Sequence, residues 1–277
     1  MHFFHICHYL RINFFRLTVM NLLPQIHLSA CMKHIPNIVT LMNLFLGSIA
    51  VVLAIKGQPQ VAAIMIGICA VLDIADGTLA RLLSGRSELG VQLDSLADLI
   101  SFGLGPSAIM YHYLSIASQD LNQSLLIALL PYSAFIMSVF AGLRLAIFNL
   151  DTRQLQSFIG LPTPANAGFF ASLPFVLAFA SQQGVIYNAV LYFTGSIPAM
   201  LIGLVIFSGL MVSPLPMFSL KIKNLSWKQN KVRYIFLALV AGTLAIAGLQ
   251  AIALITLLYL VISLIQFLLQ LKNQPSH

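Results

Sequence analysis

Uncharged stretches close to twenty residues long recur along this sequence, and they leave few folds open. As a helix, each is long enough to cross a hydrocarbon core of about 30 Å. Inside such a core every backbone N–H and C=O must find a partner within the protein, which leaves only helices or closed barrels. The runs are rich in Leu, Ile and Ala and do not alternate with period two, so they read as helices and not barrel strands. Only 8% of the 277 residues are charged and 59% are apolar, whereas an ordinary soluble domain is about 25% charged. The expected fold is an all-α integral membrane protein with about eight transmembrane helices. They fall at roughly 36–55, 61–83, 92–115, 124–148, 165–182, 188–212, 234–249 and 251–271.

Basic residues orient these helices. With residue 33 placed in the cytoplasm and the spans alternated, Lys33, Arg81, Arg86, Arg144, Arg153, Lys221, Lys223, Lys228, Lys231, Arg233 and Lys272 fall inside, and Lys56 alone falls outside. This asymmetry follows the positive-inside rule and predicts both termini in the cytoplasm. The net charge of +7 then reflects loops and contacts to anionic headgroups, not nucleic acid. Cys7, Cys31 and Cys69 are too scattered for a disulfide framework or a metal site.

Three segments follow from composition. Residues 1–31 form an extension of uncertain status that holds His2, His5, His8 and His27 and no acid, and Met32 opens directly into the first clean helix. Residues 32–212 hold the first six expected spans, and residues 213–277 a basic cytoplasmic loop and a C-terminal helical pair.

Acids are scarce, seven in all, yet Asp73, Asp76, Glu88, Asp94 and Asp98 fall close together. A carboxylate in a membrane helix is costly unless paired or coordinated. Asp73, Asp76 and Gly77 share one helix face, continued by Ala80 and Arg81. Gly90, Asp94 and Asp98 form a second stripe, and the short segment between makes the two helices antiparallel neighbours. Four converging carboxylates need a shared counter-charge. Hard oxygen ligands point to Mg²⁺, Mn²⁺ or Ca²⁺, and two such ions suit displacement at phosphorus. Gly77 and Gly90 either admit a bulky ligand close to backbone or let helices pack closely. Arg81 is placed to neutralise a phosphate. A cation transporter would also place acids in membrane helices, but no second copy of the acid motif is present.

Asp73, Asp76, Gly77, Ala80, Arg81, Gly90, Asp94 and Asp98, at these spacings, resemble the signature of the CDP-alcohol phosphatidyltransferases, over about residues 33–212. Three further stretches resemble the CDP-diacylglycerol–serine branch of that family: IPNIVTLMNLFLG from Ile35, QLDSLADLISFGLGPS from Gln92 and GLPTPANAG from Gly160. LRLAIFN from Leu143 also fits, with Ile147 where that branch often has a second basic residue. The resemblance implies a reaction, in which CDP-diacylglycerol and L-serine give phosphatidylserine and CMP. It implies Mg²⁺ or Mn²⁺ as cofactor, as two ions. Asp73, Asp76, Asp94 and Asp98 would be metal ligands, with Asp98 also the general base. Gly77, Ala80, Arg81 and Gly90 would bind the CDP group. The other acceptors in view are glycerol 3-phosphate and inositol phosphate.

Asn37, Thr40 and Asn43 make a polar stripe on the first helix, suited either to the cytidine and ribose or to hydrogen bonds between helices. Arg144, at membrane depth in the fourth helix, is the candidate for the acceptor's carboxylate, and Arg153 for anchoring. Expected partners are CDP-diacylglycerol, L-serine and membrane lipids, with a homodimer allowed and nucleic acid not. The implied location is a bacterial inner membrane, with the site facing the cytoplasm.

Overall fold

The computed structural model describes residues 34–83, 87–119, 121, 124–150, 158–179, 184–217, 227–247 and 251–272. The 1–31 extension, Lys33, Arg86, Asp120, Asp151, Arg153, Lys221 and Lys223 lie outside these residues. Helices occupy all eight expected regions, so the protein is an all-α membrane protein.

The first two helices show how the chain packs in lipid. α1 (Ile35–Ile55) places Pro36 in its first turn, where the missing N–H is not needed. It ends at Gly57, whose φ of 80° supplies the left-handed residue of a Schellman turn. Gly57 N–H donates to Ala54 O and Gln58 N–H to Leu53 O. α2 (Pro59–Leu83) therefore starts two residues later and returns alongside α1. Both helices bury small residues, Gly47, Ala50 and Ala54 on α1 and Ala62, Ala63 and Ala80 on α2, with Gly47 against Ser101 of the following π turn (Leu99–Leu104). Small residues let backbones approach where lipid gives no hydrophobic drive to association. The opposite faces are apolar and open, with Phe45 65% and Ile74 69% exposed, as a lipid solvent requires.

The third expected span is one helical path of three pieces. α3 (Glu88–Asp98) passes into a π-helical turn (Leu99–Leu104) and then α4 (Gly105–Ser118). Pro106 has no N–H to donate to the preceding turn, and Gly105 N–H bonds Ile100 O, five residues back. Such a turn re-aims the side chains around it. The fourth span, over Leu125–Leu150, begins as a short helix α5 (Leu125–Leu129), tightens to a 3₁₀ turn at Pro131, and continues as α6 (Ile136–Leu150).

α7 (Thr163–Phe179) lies at the centre, buried on most of its surface. The span expected at 188–212 is not one helix. It is α8 (Val185–Gly195) and α9 (Ile197–Val212), bent by 94°. Ser196 is extended, and Pro198, in the first turn of α9, cannot donate back into α8. Two-residue strands, β1 (Phe158–Ile159) and β2 (Pro216–Met217), pair antiparallel. They tie the entry to α7 to the exit from α9. α10 (Trp227–Ala247) and α11 (Ala251–Lys272) complete the described chain, with α11 packed on α7. By length and composition, Ile35–Ile55, Pro59–Leu83 and Leu125–Leu150 can each cross a membrane, and α8 with α9 adds a fourth crossing if taken together.

Candidate active site

α2 and α3 carry the acids. Along α2, Asp76, Gly77 and Ala80 are buried on the face that also holds Asp73. Ser87 caps α3, its hydroxyl accepting from Gly90 N–H at 3.0 Å, and Glu88 sits exposed in the first turn, where a negative charge favours the helix dipole. The cap sets the phase of α3, so that Asp94 meets the α2 acids. One carboxylate oxygen from each of Asp73, Asp76 and Asp94 lies within 4.8 Å of the others. Two unit charges at about 4 Å repel by roughly 4 kcal/mol at the effective dielectric of a protein surface. Three bare carboxylates at this spacing therefore oppose the fold.

Asp98 stands one turn beyond Asp94, within electrostatic reach of Asp73, Asp94 and Asp76. Its Oδ1 is buried and has no hydrogen-bond partner among the described residues. A donor set made wholly of carboxylate oxygens, with one buried oxygen unsatisfied, fits a hard divalent cation.

α1 supports this cluster from behind. The Thr40 hydroxyl lies 2.6 Å from Asp76 Oδ2 and 3.0 Å from Pro36 O, and the shorter, charge-assisted contact takes its proton. Asn43 is tied into the helix packing through its two oxygens, while its Nδ2 has no partner among the described residues. Its Oδ1 accepts from Ser101 Oγ at 2.7 Å, and its backbone carbonyl lies 3.4 Å from Cys69 Sγ. A Cβ on Gly90 would sit 3.0 Å from Asn37 Oδ1, so Asn37 marks the close approach of α1 to α3. Arg81 is exposed and bonds Thr78 Oγ1 at 3.2 Å.

Arg144 arrives from α6, which runs antiparallel to α3 and the π turn. Three contacts set the register: Asn149 Nδ2 to Ser95 Oγ at 2.8 Å, a Cβ on Gly103 3.1 Å from Ala141 Cβ, and Ser138 Oγ to Ser107 Oγ at 2.8 Å. This register puts Arg144 at the depth of Asp98. Arg144 is 8% exposed, lies within electrostatic reach of Asp98 and stands 6.0 Å over the Phe148 ring. It lines a small cavity with Ile147, Phe148, Ile159, Met211 and Ser213.

The residue pattern alone did not reveal several polar groups nearby. Thr163 and Asn166 are buried on α7, and neither Thr163 Oγ1 nor either amide atom of Asn166 has a partner among the described residues. Both belong to the stripe that continues to Phe170, whose ring packs edge-on against Phe207 of α9 at 5.2 Å. A buried polar residue in an apolar helix was the available signal, but such residues serve packing as often as binding.

Comparison with known proteins places these residues in context. The family model described as CDP-alcohol phosphatidyltransferase matches residues 33–196. A Helicobacter pylori J99 protein named CDP-diacylglycerol–serine O-phosphatidyltransferase is 28% identical over 238 residues, covering 84% of this chain and 90% of its own. Proteins of the same name from Bacillus subtilis and Methanocaldococcus jannaschii are 35% and 29% identical. They cover 48% and 84% of this chain, and 71% and 94% of their own length. With the whole acid motif present on two facing helices, this chain belongs to the CDP-alcohol phosphatidyltransferase family.

Proposed function

We propose that this protein transfers the phosphatidyl group of CDP-diacylglycerol to L-serine, giving phosphatidylserine and CMP. The observation that carries the reading is the aspartate cluster, with Asp98 beside it and Arg144 within electrostatic reach of Asp98. Relatives named for the serine reaction support the acceptor. The catalytic core is residues 32–212, and the excess of basic residues on one side favours a site that faces the cytoplasm.

The residues divide the work. Asp73, Asp76 and Asp94, with Asp98 at their edge, would hold Mg²⁺ or Mn²⁺, as two ions. Bound there, the metal supplies charge neutralisation for the diphosphate and a better leaving group. Thr40 orients the Asp76 carboxylate through their hydrogen bond. Gly77, Ala80 and Gly90 would border the CDP group, and Arg81 would meet its phosphates. Asn37 would border that group next to Gly90, while Thr40 and Asn43 shape the site from behind.

Asp98 accepts the serine hydroxyl proton as that oxygen bonds to the phosphorus bearing diacylglycerol. The bond from this phosphorus to the bridging oxygen breaks, and CMP leaves with the electron pair. Arg144 holds the serine carboxylate. It is the one basic side chain among the described residues of its cavity, which suits a carboxylate better than a phosphate-bearing acceptor.

Purified protein given CDP-diacylglycerol, Mg²⁺ or Mn²⁺ and a panel of acceptors tests this. L-serine should release CMP and yield phosphatidylserine. CMP release with glycerol 3-phosphate and none with serine would overturn the acceptor and leave the aspartate chemistry in place.

A further inference from the structure

Between α2 and α7 the protein leaves an open groove of about 560 Å³. Its floor is Ile66 on α2 and Phe102 in the π turn, both buried. Pro164, Gly168 and Phe175 form the α7 wall. Ile64 and Val71, 46% and 66% exposed, stand at its rim and open it to the lipid side. The one hydroxyl in the lining, that of Ser172, donates to Phe169 O at 2.6 Å. The groove therefore offers a ligand no free polar side chain, and hydrocarbon is what fits it. From Ala63 to Val71 its α2 wall runs about 12 Å, at roughly 1.5 Å per residue.

Both floor elements lead from the groove to the acids. Ile66, Ala70, Asp73 and Gly77 recur at i, i+4, i+7 and i+11, so the groove lining and a carboxylate of the cluster share one face of α2. Phe102 follows Asp98 by four residues, about one turn along the same helical path. A molecule with its phosphates at the acids and an apolar tail would pass directly into the groove.

Gly67 sits in the middle of the α2 wall, and the space over it is filled by no part of the described protein. A Cβ at Gly47, Gly103 or Gly105 would press on Ser101, Ala141 or Ile66, so those glycines are small because helices abut. A Cβ at Gly67 would meet nothing within 4 Å. A glycine inside a helix is destabilising relative to alanine, and helix packing does not require this one. Lipid tails are as apolar as the groove, so a chain that enters it gains little from the hydrophobic effect. What the groove supplies is direction. A chain held along α2 fixes the glycerol and, through it, the reacting phosphorus, and a misplacement of about 1 Å there can cost roughly 10²-fold in rate.

We propose that one acyl chain of the CDP-diacylglycerol donor lies in the groove between α2 and α7, and that Gly67 keeps the groove open to a chain of full length. The inference rests on the proposed donor and is independent of the acceptor. It makes Gly67 a specificity-determining residue for the lipid tail, about 9 Å from Asp73 along the helix axis at roughly 1.5 Å per residue.

The test is Gly67→Leu in the full chain, purified in detergent, with kcat/KM for CMP release measured on two donors at saturating acceptor. CDP-dioleoylglycerol has chains that reach past Gly67, and CDP-dibutyrylglycerol has chains too short to reach it. The open space at Gly67 admits the new side chain, so the melting temperature should hold. For the dioleoyl donor kcat/KM should fall at least about tenfold, or about 1.4 kcal/mol, while the dibutyryl donor should hardly change. Gly67→Ala, a smaller plug, should give an intermediate fall on the dioleoyl donor, and it carries the same comparison should Gly67→Leu fold poorly. Val52→Phe enlarges a lipid-exposed position on α1 outside the groove and should alter neither donor. An unchanged kcat/KM for the dioleoyl donor in the plugged variants overturns the inference and leaves the groove to ordinary membrane lipid. An equal fall on both donors also overturns it, since the plug then acts on the fold or the headgroup. A wild type that releases CMP only with another acceptor loses the serine reading, and the groove is tested with that acceptor. A wild type that releases no CMP from either donor refutes the proposed function, and the inference falls with it.

Discussion

The Thr40 hydroxyl on α1 lies 2.6 Å from Asp76 Oδ2 on α2, so a helix that contributes no acid orients a carboxylate of the cluster. Hydrogen bonds of this kind behind a metal ligand set its direction, and their loss typically weakens metal binding 10- to 100-fold. Thr40→Val keeps the shape and removes the donor. The Mg²⁺ or Mn²⁺ concentration for half-maximal CMP release should rise by about that factor, while turnover at saturating metal stays near normal. An unchanged metal titration would reduce Thr40 to a packing residue.

Metal removal is the broader check on the cluster. Three carboxylates within 4.8 Å repel one another without a cation, so exhaustive chelation should abolish CMP release and lower the melting temperature. Readdition of Mg²⁺ or Mn²⁺ should restore both. Full activity in the chelated protein would refute the metal assignment.

Asp98→Asn tests the base. The amide keeps the size of the side chain and cannot take the hydroxyl proton. Turnover should fall by about 10²- to 10⁴-fold with CDP-diacylglycerol binding retained in a direct binding measurement. Near-normal turnover at neutral pH would remove Asp98 from that role.

Arg144→Ala should raise the KM for serine by about 10- to 150-fold, the range for a charge-assisted contact of roughly 1.5–3 kcal/mol. KM for CDP-diacylglycerol should hardly move. Steady-state kinetics with each substrate varied in turn would separate the two.

Gly160 offers a test of the scaffold. Its φ is 74°, and a Cβ there would run into the Met211 carbonyl. Gly160→Ala should destabilise the protein by roughly 1–3 kcal/mol, read as a lower melting temperature. Because Ile159 and Met211 line the Arg144 cavity, serine affinity should weaken in the same variant.

Much of this protein could be read from the order of its residues. Apolar run length set the helices, because a span is a property of consecutive residues in lipid. Helical periodicity put Asp73 with Asp76, and Asp94 with Asp98, because faces repeat within one helix whatever surrounds it. The short link between α2 and α3 then brought the two stripes together. Tertiary structure decided what depended on which helices abut and at what register. Periodicity places Arg144 on a face of α6, but only the packing of Gly103 on Ala141 and of Asn149 on Ser95 sets it level with Asp98. Thr40 and Asn43 have the same local pattern, yet one bonds Asp76 and the other Ser101, since each lies opposite a different neighbour. The break at Ser196 was hidden in an unbroken apolar run. Thr256, 91 residues from Ala165, meets its carbonyl only through the packing of α11 on α7, and no local pattern encodes a contact between such distant helices.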